Sequence, residues 1–288
     1  MTDITTRRFA CTQCGACCNR SPEVELSEAG GLADVFVFRL MFRLYSLPSV
    51  PERSGGDCLE LFYQKKRLLA AHAATKYSKK VMRDGKLVER IHYLMISALA
   101  LDTRRGACTA LSEDRCGIYE RRPLACRAVP FHYARADALA VADFDAFVST
   151  AGYRCDVSEA APVVLERGSI VDTASLEARV EANSVAKSDR PWKEAIVRRM
   201  KRGSLARAQL PTVSDVEAQA GFGVLTTSMR IGWEIAADVG FIGRAESQAL
   251  VQKQLETIEN ELASTDRTGA DAATLAEMAV EYRAALRG

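Results

Sequence analysis

Beyond Cys155 the chain has no cysteine, although it runs on to Gly288, and histidine is scarce throughout, with three in 288 residues. Thiolates and imidazoles are the ligands that hold zinc, iron and iron–sulfur clusters, so metal chemistry is confined to the first half. An excess of one charge is also missing. Lys and Arg total 39 against 37 Asp and Glu, a formal net charge of +2, which gives no overall argument for nucleic acid, an anionic membrane or an acidic partner. The most apolar run, Leu32 to Leu47, is interrupted by Asp34, Arg39 and Arg43 and is shorter than the ~20 apolar residues a spanning helix needs, so no membrane span is expected. The opening Met1 to Arg8 has no apolar segment behind its charges and does not read as a secretory signal, so a cytoplasmic protein is expected. No glycine-rich phosphate loop stands out: Gly221-Phe222-Gly223 follows no expected strand. A Ser-His-Asp or paired-carboxylate arrangement is missing too.

What the chain does have is a cysteine-rich first half. Cys11-Thr12-Gln13-Cys14-Gly15-Ala16-Cys17-Cys18 packs four cysteines into eight residues. Two residues between sulfurs let a tight loop bring thiolates to one ion or cluster, a spacing used by iron–sulfur sites and zinc knuckles. Gly15 falls where the backbone has to turn through a positive φ. Cys17 and Cys18 are adjacent, and in an extended local conformation their side chains diverge, which hints at two metal centres or one bridging thiolate. A second island supplies Cys108, Cys116 and Cys126, with Cys155 following. Four and four thiols would complete two four-thiolate sites, and spacing alone does not assign sulfurs to sites. Cys58 has no partner at ligand spacing and reads as an ordinary thiol. A reducing cytosol would keep these thiols free for metal and argues against a disulfide framework.

These residues resemble the YkgJ-type cysteine-cluster family, whose hallmark is CxxCxxCC followed far downstream by C-x-I-Y-E-x-R-P-x-x-C-R. Cys11, Cys14, Cys17 and Cys18 match the first half. Cys116-Gly117-Ile118-Tyr119-Glu120-Arg121-Arg122-Pro123-Leu124-Ala125-Cys126-Arg127 matches the second, with Cys108 the family's cysteine ahead of it. Cys155 is similar to a further cysteine of longer members, and Val129 stands where an aromatic is often seen. The resemblance covers roughly residues 9–156 and implies a zinc- or iron-chelating domain, with one or two [4Fe–4S] clusters favoured and zinc the alternative. The family includes flagellin lysine methylases among its longer members, so the resemblance is compatible with an enzyme working at the metal centre, oxidoreductase or methylase-like. The competing reading is a non-catalytic metal or redox module. The expected ligands are Cys11, Cys14, Cys17, Cys18, Cys108, Cys116, Cys126 and Cys155.

The length suggests two units, a cysteine-cluster domain over 1–160 and a helical domain over 161–288. The expected fold is mainly α: an irregular, cysteine-ligated metal core with one short β-hairpin, then C-terminal helices. Phe36, Leu40, Leu44 and Leu47 repeat at four, four and three, predicting a helix of about five turns from Ser27 to Pro48. A second helix is expected over 61–82, and Asp84-Gly85 marks a hairpin into the apolar Ile91–Ile96. C-terminal helices are expected over 173–185, 191–208, 212–238, 242–263 and 270–286. Among them the 191–208 helix carries an apolar stripe of Trp192, Ile196 and Met200 and the most basic stretch of the chain. That stretch suits a protein partner or protein substrate, or is simply a solvated face, and there is no clear nucleic-acid signal. Arg121, Arg122 and Arg127 bracket Cys126 and either offset the charge of a thiolate cluster or pack locally, Arg122 on Tyr119. His132 is a candidate extra ligand, His72 and His92 weaker ones.

Overall fold

The computed structural model describes residues 6–51, 56–103, 107–113, 115–132, 135, 137–202, 210–221, 223–264 and 269–287. In chain order the elements are β1 (Arg7–Arg8), β2 (Glu23–Val24), α1 (Leu26–Gly31), β3 (Phe38–Pro48), α2 (Gly56–His72), β4 (Thr75–Arg83), β5 (Lys86–Ala100), β6 (Leu111–Ser112) and β7 (Arg115–Cys116). Then come α3 (Leu124–Arg127), α4 (Ala140–Val148), β8 (Val163–Glu166), β9 (Ser169–Ile170), α5 (Thr173–Ser188) and α6 (Arg190–Lys201). The chain closes with α7 (Val213–Ala218), β10 (Leu225–Ser228), α8 (Met229–Asp238), α9 (Arg244–Ala263) and α10 (Gly269–Arg287). The tail of the expected 191–208 helix and the side chain of Cys58 fall outside the described residues.

The fold is mixed α/β, 47% helix and 22% strand, which corrects the mainly-α expectation. The correction centres on Leu32–Leu47. Phe38, Leu40, Phe42 and Leu44 are buried on one side of an eleven-residue strand, an alternation of period two that a period of four also satisfies. β3 lies antiparallel to β5 over its whole length, Phe38 opposite Ala100 and Pro48 opposite Arg90. The Asp84-Gly85 turn forms as expected, with φ of +49° and +73°, but it joins strands of nine and fifteen residues instead of a short hairpin. The expected 61–82 helix is α2 followed by β4. The expected 212–238 helix is interrupted by β10, which pairs antiparallel with β3 between Arg39 and Phe42. The resulting sheet has the order β10-β3-β5, with β2 and β4 sharing the far edge of β5.

One face of this sheet carries the main core. The cross-strand pairs Leu40–Ala98, Phe42–Ile96 and Leu44–Leu94 are packed in one cluster with Trp192 and Ile196 of α6, Trp233 of α8, Leu255 and Ile258 of α9, and Leu275 and Tyr282 of α10. The cluster draws on residues from Val24 to Tyr282, so sheet and C-terminal helices share one interior. The expected stripes on α6, α9 and α10 are its helical side. Two polar ties fix the arrangement: Trp192 Nε1 donates to the carbonyl of Gly232 at 2.8 Å, and Gln254, fully buried on α9, bonds the backbone at the start of β3. A smaller cluster of Phe9, Phe131, Phe144, Val164 and Leu165 sits under the three-stranded sheet β1-β8-β9.

Candidate metal centre

All eight expected cysteines line one cavity of about 840 Å³, and all eight are free thiols. The chain folds them there from both ends. Ala10 and Asp156 exchange backbone hydrogen bonds of 2.8 and 3.1 Å, and Thr12 Oγ1 donates to the Arg154 carbonyl at 2.8 Å, which sets Cys11 beside Cys155. The CxxCxxCC loop turns with Gly15 at φ +71° and Gln13 at +57°, and the Cys18 amide closes on the Gly15 carbonyl at 2.8 Å. The Cys108 amide then donates to the Cys18 carbonyl at 2.8 Å. Leu111 pairs with Cys116 in the β6–β7 hairpin, and Pro123 starts α3, which carries Cys126.

The thiols fall into two neighbourhoods. Burial raises the Cys155 thiol to about 11, and the charges of Cys17, Cys14 and Cys11 add to the rise. Burial likewise pushes Cys126 up to about 12, with Cys108 and Cys116 adding and Arg122 opposing. Cys108 is raised by burial and, among the thiols, by Cys116. The neighbouring Cys18 thiol lowers Cys17 to about 7, and Cys18 is pushed up by Cys17, by burial and by the charges of Cys108 and Cys126. Cys14 is held below its ordinary value by the Ala16 amide first and the Thr12 hydroxyl next. Cys11 and Cys155 pack against the smaller core, and Cys18 and Cys108 against the larger one. Mutual repulsion is what a set of thiolates experiences without a cation; a bound metal removes it and deprotonates its ligands. The sulfur-only donor set therefore fits zinc or an iron–sulfur cluster. Among the described residues no three His, Cys, Asp or Glu side chains converge tightly enough to hold an ion as they stand.

Of the bracketing arginines, Arg121 pairs with Asp34 at 2.7 Å and Arg127 with Glu181 at 2.9 Å, both on the surface. Arg122 takes both readings at once. Its guanidinium lies 3.7 Å from the Tyr119 ring centroid, yet it lines the cavity and favours ionisation of Cys17 and Cys126. His132 also lines the cavity, whereas His92 lies outside its lining, stacked on Tyr77 at 5.2 Å.

Sequence reading missed Glu25 and Lys193 and weighed His72 only as a weaker metal ligand. All three line the cavity, and Glu25, His72 and Lys193 are 5%, 3% and 2% exposed. Glu25 accepts from Lys193 on one oxygen and meets His72 Nδ1 at 3.1 Å on the other. His72 Nε2 lies 3.1 Å from Asn183 Oδ1. Burial alone would raise Glu25, but the His72 bond and the Lys193 charge outweigh it and hold its carboxyl below the ordinary range. Among the charged side chains of the lining the basic ones prevail: Arg20, Arg43, Lys65, Arg122, Arg135, Arg154 and Lys193 against Glu23 and Glu25.

The model of the family described as "CxxCxxCC: Putative zinc- or iron-chelating domain" matches residues 10–155. The chain belongs to this family. The match begins one residue before Cys11 and ends on Cys155, so it encloses all eight cysteines of the cavity. Comparison with the curated proteins and with the solved structures gave no match. Among the described residues no helix is long and apolar enough to cross a membrane.

Proposed function

We propose that this CxxCxxCC protein holds two four-thiolate metal centres side by side in one cavity, iron–sulfur in preference to zinc, and that a small molecule bound beside them is their reaction partner. The observation that carries this reading is that eight free cysteines from both ends of a 146-residue segment (10–155) open on one cavity, Cys11 and Cys155 beside the smaller core and Cys18 and Cys108 beside the larger. Cys11, Cys14, Cys17 and Cys155 would hold one centre, and Cys18, Cys108, Cys116 and Cys126 the other. An iron–sulfur cluster supplies one-electron transfer when bound; zinc would supply structure. The chain does the rest. Arg122 offsets negative charge at the sulfurs, and the apolar wall of Phe36, Leu68 and Met95 excludes water. The cavity's volume lies within the range of small-molecule sites, which favours an enzyme of oxidoreductase type. Two complete quartets leave no open coordination position. That favours electron exchange with a neighbouring molecule over direct binding of it to metal, and a pure electron-transfer module is the second reading.

Anaerobic purification followed by iron, zinc and acid-labile sulfide analysis and a visible spectrum tests the proposal. Iron and acid-labile sulfide together with a broad visible absorption are expected. Stoichiometric zinc without sulfide would end the iron–sulfur reading.

A further inference from the structure

The polar atoms in the cavity wall are unequally committed. Each carboxylate oxygen there already has a donor: Glu23 takes Ser97 Oγ at 2.8 Å and Arg43 at 3.2 Å, and Glu25 takes Lys193 and His72. The buried ammonium of Lys193 has three donors, and among the described residues only Glu25 meets it. An uncommitted, desolvated donor facing a cavity is satisfied by an acceptor on a ligand, and a negatively charged acceptor gains most. An amine would find every carboxylate oxygen of the wall already engaged. Phe36, Leu68, Leu69 and Met95 add apolar surface to the same lining.

We infer that the cavity takes an organic anion with an apolar body, a carboxylate or a phosphate ester, its acid group on Lys193 and its body along Leu68, Leu69 and Met95 toward the sulfurs. This names the class of molecule at the site proposed above and rests on that reading for its role beside metal. Glu25 and His72 are positioning residues: Glu25 holds the ammonium with one oxygen and His72 with the other, and His72 is anchored in turn on Asn183.

Isothermal titration of the anaerobically purified, full-length protein with hexanoate, hexyl phosphate, hexanol and hexylamine tests the inference. Binding of either acid, or both, with neither hexanol nor hexylamine bound comparably, is expected, and the stronger acid names the group. Comparable binding of hexylamine or hexanol, or no binding by either acid, would overturn it; this comparison requires no variant. Lys193→Met should weaken acid binding roughly tenfold to a hundredfold, the range for a charge-assisted hydrogen bond. Because it leaves Glu25 buried without its cation, the neutral pair Glu25→Gln/Lys193→Met is measured beside it and should show the same loss; unchanged acid affinity in a folded variant would overturn the assignment to Lys193. Metal and sulfide are assayed on the same samples. Acid binding by protein that holds no metal would sink the metal reading and leave this one standing, whereas metal without acid binding would do the reverse.

Discussion

Replacing Gln254 with leucine tests whether the C-terminal helices and the five-stranded sheet are one energetic unit. Gln254 is fully buried on α9. Its Oε1 accepts from the Phe38 amide at 3.0 Å, and its Nε2 donates to the Phe36 carbonyl at 2.8 Å. A longer contact of 3.4 Å to the Ala33 carbonyl counts for little, because Thr257 Oγ1 already serves that oxygen. Leucine fills a similar volume but leaves one amide and one carbonyl buried without a partner. At roughly 1–3 kcal/mol for each orphaned group, less a fraction recovered by the apolar side chain, the loss should be about 3 kcal/mol. That is a large share of the ~5–15 kcal/mol by which domains are stable, and it should lower Tm by roughly 6–10 °C. Trp192 and Trp233, 1% and 0% exposed in the same cluster, report the transition by fluorescence during urea unfolding. Because β10, β3 and five C-terminal helices share that cluster, the variant should still unfold in one transition. A loss under 1 kcal/mol, or a biphasic curve in which the tryptophans move separately from the cysteine half, would refute the reasoning.

Four further outcomes follow from the geometry. Cys155→Ser should abolish one centre and Cys126→Ser the other, so each variant should retain about half of the wild-type metal measured per chain, since each removes one of two thiolate quartets; equal and complete loss from both would mean a single centre. Removing the metal with a chelator should lower the melting temperature, because ligation joins segments from two cores and contributes to folding; an unchanged melt would mean the centre is not structural. Gly15→Ala places a Cβ on a residue at φ +71°, which costs roughly 1–2 kcal/mol, and should cut metal retention under mild chelation while leaving the far-ultraviolet spectrum unchanged. Glu25, its carboxyl depressed by His72 and Lys193, contributes stability that is complete above the unfolded value of ~4.3 and lost as pH falls through its lower folded value. Glu25→Gln should therefore be less stable than wild type at pH 7, with the gap closing below about pH 4; a gap that stays constant to pH 3 would assign the effect to packing.

The candidate ligands were legible because sulfur chemistry writes itself in spacing, whereas the strand β3 was not, because its pattern is ambiguous. Phe36, Leu40 and Leu44 are four apart, and four is close to one helical turn and also twice the strand period. The deciding residues were Phe38 and Phe42, buried between them, with Arg39 and Arg43 on the other face. Over 61–82 no glycine or proline separates α2 from β4; the break at Ala73-Ala74 is fixed by tertiary contact, the Ala74 amide bonding Leu94 at 2.8 Å. β10 is four residues long and reads as helix until β3 offers it a partner. Lys193, by contrast, left a signal. It lies three residues before Ile196, four before Val197 and seven before Met200, all buried, so it stands on the apolar stripe of α6 and not on its basic face. A lysine at a core position requires a carboxylate, and Glu25, 168 residues away, had no sequence mark of its own.

The adjacency of Cys17 and Cys18 gains a physical meaning from this fold. Two consecutive side chains cannot readily enter one tetrahedral shell, but they can face two neighbourhoods, and here Cys17 lies toward Cys155 while Cys18 lies toward Cys108 and Cys126. Consecutive Cα atoms are ~3.8 Å apart, so two centres that take one sulfur each cannot be separated by more than the reach of two short side chains. On the two-centre proposal, a single peptide bond limits the distance between the centres. Gly15 turns the loop before that pair at φ +71°, and the Cys18 carbonyl beyond it is held by the Cys108 amide at 2.8 Å.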